Sequence, residues 1–131
     1  MTAPRVIGPY SPVVRAGEWI VTSGQLGTRP GPDGQTELVP GGTAAELSQA
    51  LSNLADVLAQ EGAALHDVVK ATVYLVDMAE FSLVNEVWTA AFGDHRPARS
   101  AIGVAALPLG AMVEVEAWAR VSSMRVADHA P

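Results

Sequence analysis

The chain contains no cysteine. Disulfides, thiolate nucleophiles and cysteine-based zinc sites are thereby excluded, and the absence suits a reducing compartment. Aromatic residues are scarce at 5%, so the core has to be built mainly from Val, Ala and Leu. Positive charge is sparse too: 8 Lys and Arg stand against 14 Asp and Glu, a formal net charge of −6. Nucleic-acid binding draws most of its strength from neutralising phosphates, and the basic residues form no run or helical stripe. No segment approaches the roughly 20 apolar residues of a membrane span. The opening MTAPRVIGPYSP lacks the apolar run of a signal peptide. The expectation is a soluble, cytoplasmic protein without a membrane or nucleic-acid partner.

What is present reads as globular. A chain of 131 residues, 49% hydrophobic and 17% charged, suffices for one domain over 1–131, with a frayed tail at 122–131. No repeat or low-complexity block interrupts it. The stretch GTRPGPDGQT (27–36) is dense in Gly and Pro and reads as a loop bordering a site.

Periodicity supplies the elements. GPYSPVVR and EWIVTSGQL read as strands paired through the turn at Ala16 and Gly17. Thr43 and Glu46 have the spacing of a capping box. Leu47, Leu51, Leu54 and Leu58 then fall on one helical face, which Gly62 terminates. In DVVKATVYLV the alternation places Val69, Ala71, Val73 and Leu75 on one face and Lys70, Thr72 and Tyr74 on the other. Asp77 to Glu80 signals a second helix start, followed by a stripe of Phe81, Val84, Trp88 and Ala91 up to Gly93. A strand from Arg99 to about Ala106 turns at LPLG, and AMVEVEAWARV alternates cleanly. The resulting order, ββαβαββ, is an α+β domain: a mixed sheet with two helices packed on one face. The uncovered face carries Thr72, Tyr74, Met112, Glu114 and Trp118. Such a half-apolar face points to association with other copies, with pockets at the seams drawing residues from two chains.

Several residues carry possible chemistry. Arg99, at the entrance of an apolar strand, is either an edge arginine in a surface salt bridge or a fork for a substrate carboxylate. Glu114 shares a strand face with Glu116. It is either part of a solvated face or a carboxylate that orders or deprotonates a water. If the two last strands pair, Arg99 and Glu114 are not opposite one another within one chain. Tyr10 is a packed loop aromatic or a pocket wall, and Asn85 a surface polar or an amide aimed at a neighbour. Ser23 lacks a nucleophile context, while Gly24 allows a close approach to the backbone. His66, His95 and His129 show no metal-ligand spacing, so no metal site is expected.

Taken together, GPYSP, TSGQLG, DVVKATVYLVDMAEF, VNEVW and RPARSAIGVAALPLGAMVEVEAWA resemble the reactive-intermediate deaminases, the RidA, YjgF or L-PSP family. The resemblance runs to about Val121. It implies a chorismate-mutase-like (YjgF-like) fold, a homotrimer, and active sites between subunits. The implied activity is hydrolysis of 2-enamine/2-imine acids, such as 2-iminobutanoate and 2-iminopropanoate, to 2-oxo acids and ammonia without a cofactor. By position, Arg99 matches the family's carboxylate-binding arginine and Glu114 the glutamate associated with the hydrolytic water. Tyr10, Gly24, Asn85 and Ala101 match substrate-binding positions. Two departures stand out: Ala101 replaces a cysteine common in the family, and the stretch 27–36 looks longer. Three alternatives accompany this reading. One is a hydrolase of a different imine or carbamate-like intermediate in the same cleft. The second is a small-acid-binding or protein-stabilising module without turnover, and the third is the family's endoribonuclease label, which the acidic balance disfavours.

Overall fold

The computed structural model describes residues 8–122. The frayed tail expected from Ser122 onward therefore lies, beyond Ser122 itself, outside the described residues.

Strands β1 (Val13–Ala16) and β2 (Trp19–Thr22) form the anticipated hairpin, turning at Gly17 with φ +62°. The last strand, β8 (Val113–Arg120), sits centrally, antiparallel to β2 on one side and to β6 (Val68–Leu75) on the other. A short β3 (Gln25–Leu26) continues the β2 side along the start of β8. Strand β7 (Ala98–Gly103) forms the edge, parallel to β6. It is thus separated from β8 by β6 and ends before Val104, earlier than the sequence pattern suggested. The parallel pairing follows from the helix between β6 and β7, since a parallel neighbour needs a crossover connection.

Helices α1 (Gly42–Ala59) and α2 (Phe81–Phe92) cover one face of this sheet. Leu47, Leu51, Leu54 and Leu58 are buried against Val73, Leu75, Val113 and Val115, each leucine contributing about 2 kcal/mol by leaving water. The alternation on β8 is as the sequence indicates: Val113, Val115, Ala117, Ala119 and Val121 are buried. Among the described residues no helix covers the other face, and Trp118 there is 48% exposed. Trp19 meets Trp118 edge-on with ring centroids 6.2 Å apart.

Four expectations are corrected. Thr43 and Glu46 do not form a capping box, because Gly41 and Gly42, at φ +116° and +80°, start α1 earlier. Both side chains are freed for tertiary bonds: Thr43 Oγ1 donates to Glu80 Oε1 (2.6 Å), and Met112 N donates to Glu46 Oε1 (2.8 Å). Val69 is 45% exposed while Val68 is buried, since a register shift between Val68 and Lys70 resets the alternation. The Val68 carbonyl at this bulge pairs with His95 Nε2 at 2.7 Å. On α2 the buried stripe is Val84, Trp88 and Phe92, with Phe81 and Ala91 exposed. Finally, 27–36 is not a plain loop: β4 (Thr28–Pro30) and β5 (Thr36–Leu38) make a hairpin of their own.

Candidate active site

The site residues separate into two groups on the two faces of the sheet. Arg99 lies in register with Ala71, whose side chain is in the core, so Arg99 points to the helix-covered face. There Arg99 Nη2 donates to Asn85 Oδ1 at 2.8 Å. The guanidinium carbon stands 5.1 Å from the Trp88 ring centroid and 5.4 Å from that of Phe81. Such cation–π contacts are worth about 0.5–2 kcal/mol each, and the planar ion is thereby fixed in orientation. Burial lowers the arginine's pKa. Among the described residues no carboxylate lies within ion-pair range of it. The described residues thus do not show the surface-salt-bridge alternative. Ala101 follows on the same face of β7, in register with Val73 and packed at the margin of the core.

Glu114 lies in register with Tyr74 on the open face. It lines a cavity of about 460 Å³ together with Gly8, Tyr10, Ser23, Gly24, Leu26, Pro108 and Leu109. Gly24 leaves room for the carboxylate where it stands: a Cβ there would be 2.1 Å from Glu114 Oε2. Burial raises the Glu114 pKa, and the neighbouring charge of Glu116 raises it further. Tyr74 is raised too, by burial first, then by the charge of Glu116 and a hydrogen bond to it, and by Glu114. Tyr10 is a cavity wall rather than a packed loop aromatic. Ser23 Oγ donates to the Ser11 carbonyl at 2.6 Å, which holds the wall together. The 27–36 hairpin contributes no residue to this cavity.

Chemically, one half presents an oriented cation without an anionic partner among the described residues, and the other a half-buried carboxylate of raised basicity in a mostly apolar cavity. A small anion whose reacting carbon needs a base-activated water would use both.

Comparison with known proteins agrees with the motifs. Residues 1–121 match the family model described as endoribonuclease L-PSP. The chain belongs to this family, known also as RidA or YjgF. A Bos taurus protein named 2-iminobutanoate/2-iminopropanoate deaminase is 50% identical over 117 residues, covering 89% of this chain and 83% of that protein. The crystal structure of RidA from an Antarctic Psychrobacter is 39% identical with a TM-score of 0.84, covering 91% of this chain and 94% of the other. That of Escherichia coli TdcF with bound serine is 33% identical with a TM-score of 0.80, covering 92% and 94%.

Against this RidA-family background, sequence reading named Arg99, Asn85, Tyr10, Gly24 and Glu114, and the fold groups them as Arg99 with Asn85, and Tyr10 with Gly24 and Glu114. It missed the Trp88–Phe81 cradle of Arg99, and the Pro108–Leu109 wall of the Tyr10 cavity. The sequence carried no signal for the first, since Phe81 and Trp88 read there as one apolar helical stripe.

Proposed function

We propose that the protein is a cofactor-independent hydrolytic deaminase of 2-enamine/2-imine acids, such as 2-iminobutanoate and 2-iminopropanoate. It acts as a homotrimer of chorismate-mutase-like form, with Arg99 of one protomer facing the Glu114 cavity of another. The observation that carries the reading is the part-buried, oriented Arg99 guanidinium with no carboxylate partner among the described residues. A buried cation is costly until an anion meets it, and a substrate carboxylate meets it in bidentate fashion. The names of the relatives, and the serine bound to TdcF, support an amino-acid-like ligand.

The chemistry requires little machinery. Arg99 holds the carboxylate and so orients the imine carbon. A water against Glu114 attacks that carbon while its proton passes to the carboxylate, forming a C–O bond. Glu114 returns the proton to nitrogen, which gives a carbinolamine. It then takes the hydroxyl proton and passes it to the amino nitrogen as the C–N bond breaks, so that ammonia leaves and the carbonyl of the 2-oxo acid forms. A raised Glu114 pKa makes it a better base for this step. Imines of this kind hydrolyse spontaneously, and each further tenfold needs only about 1.4 kcal/mol. Ala101 offers no thiol, so backbone groups and the ordered water carry the reaction. RNA cleavage fits less well, because the net charge of −6 opposes phosphate binding.

The test generates 2-iminobutanoate with a threonine dehydratase and traps what escapes with semicarbazide. Wild type is expected to suppress the trapped adduct, and Arg99→Ala to lose that suppression. Equal suppression by both removes Arg99 as the anchor. Suppression by neither, with saturable binding of 2-oxobutanoate, would identify a binding module instead.

A further inference from the structure

We propose that Leu109 sets the side-chain preference of the site, selecting 2-imino acids with apolar side chains of three or more carbons over 2-iminopropanoate. The proposal rests on the imine-hydrolysis reading for its reaction and on the geometry of the Leu107–Gly110 turn for its residue.

Pro108 and Leu109 occupy the two central positions of a four-residue turn, with Gly110 N donating to the Leu107 carbonyl at 3.3 Å. Leu109 has φ +61° and ψ +14°. These are the angles of the third position in a type II turn, where glycine or asparagine is favoured after proline. Leu109 is the only non-glycine at positive φ among the described residues, and it is 51% exposed. A γ-branched apolar side chain is thus held in a conformation it disfavours and gains little burial for it within the chain. Strain of this kind is found where a function repays it. Here the strained side chain lines the Glu114 cavity together with Tyr10, Leu26 and Pro108. Of the cavity's side chains, Glu114 carries the charge and the Ser23 hydroxyl is already bonded to Ser11. Apart from the Tyr10 hydroxyl, the remaining side chains of the wall are apolar. At about 460 Å³ the cavity lies within the range of small-molecule pockets, roughly 300–1,000 Å³. With the carboxylate on Arg99 and the reacting carbon at Glu114, the substrate's side chain is left to this wall.

Each methylene buried there is worth about fourfold in affinity or rate. The experiment compares imines made in place from leucine and from alanine by an L-amino-acid oxidase with catalase, using semicarbazide competition. It is run on wild type, Leu109→Gly and Leu109→Asn, both replacements suiting positive φ. Binding of 4-methyl-2-oxopentanoate and of pyruvate is measured in parallel by calorimetry. Wild type is expected to favour the leucine-derived imine by on the order of tenfold or more, and the variants to bring the ratio within about threefold. A ratio unchanged in both variants overturns the proposal, as does a ratio near one in wild type. If wild type hydrolyses neither imine, the deaminase reading fails, and the calorimetry decides Leu109 alone. A preference for the longer oxo acid that both variants lose upholds it; equal affinities overturn it.

Discussion

Arg99 and Glu114 project from opposite faces of one sheet, the first in register with Ala71 on the helix side and the second with Tyr74 on the open side. A single protomer does not bring them to one substrate. If a neighbouring copy does, two inactive variants complement each other. Arg99→Ala and Glu114→Gln, each inactive alone, are unfolded together and refolded as a one-to-one mixture. Random assembly pairs an intact arginine with an intact glutamate in about a quarter of sites, so about a quarter of wild-type activity is expected. Activity no higher than that of either variant alone sinks the shared-site arrangement.

Gly24→Ala places a Cβ 2.1 Å from Glu114 Oε2 and 2.6 Å from Cδ. The glutamate side chain is the softer partner and swings away, so stability drops by about 1 kcal/mol or less. Activity should fall by roughly a hundredfold, the usual cost of misplacing a reacting group by an ångström. Thermal melts beside steady-state rates separate the two effects. A variant with full activity shows that Glu114 need not stay where it is.

Asn85 orients Arg99 through a single bond of 2.8 Å. Asn85→Leu is expected to raise KM by about tenfold, the loss of one hydrogen bond to a charged group, with a smaller change in kcat. Asn85→Asp should be worse, because its carboxylate pairs with Arg99 and competes with the substrate. Kinetics that rank the two variants in the reverse order would exclude this role.

Glu114 has its pKa raised by burial and then by Glu116. As the base, it loses activity when pH falls through that value, so the acid limb of the rate profile lies above the ordinary glutamate value of about 4.3. Removing the like charge with Glu116→Gln moves the limb to lower pH. The stability sign is opposite: between the ordinary and the raised value the folded chain holds a proton that the unfolded chain has lost. Stability therefore falls as pH rises through that window, and the slope flattens in Glu116→Gln. Profiles and urea titrations from pH 4 to 8 check both.

Local patterns were legible where one interaction dominates. The leucine stripe of α1 and the alternation of β8 are direct records of burial, and both appear where expected. Where local and tertiary demands compete, the pattern misleads. Thr43 and Glu46 look like a cap but bond to Glu80 and Met112; Val69 looks inward but follows a bulge. The parallel β6–β7 pairing is a long-range consequence of the α2 crossover, which no window of neighbouring residues contains. Arg99 and Glu114 were singled out as chemistry-bearing from residue type, and their roles came from family motifs. Leu109 left a trace in LPLG, a proline followed by a residue where a type II turn asks for glycine.

The chain's three tryptophans fall into two optical environments. Trp88 stacks 4.7 Å from Phe92 and lies 5.1 Å from the Arg99 guanidinium, so a charge arriving at Arg99 alters the field across its indole. Trp19 and Trp118 share the open sheet face and would lose water if the proposed trimer covered them. Intrinsic fluorescence can thus follow ligand arrival and subunit association without a label. Replacing Trp88 by Phe, or Trp19 and Trp118 together, leaves one signal at a time.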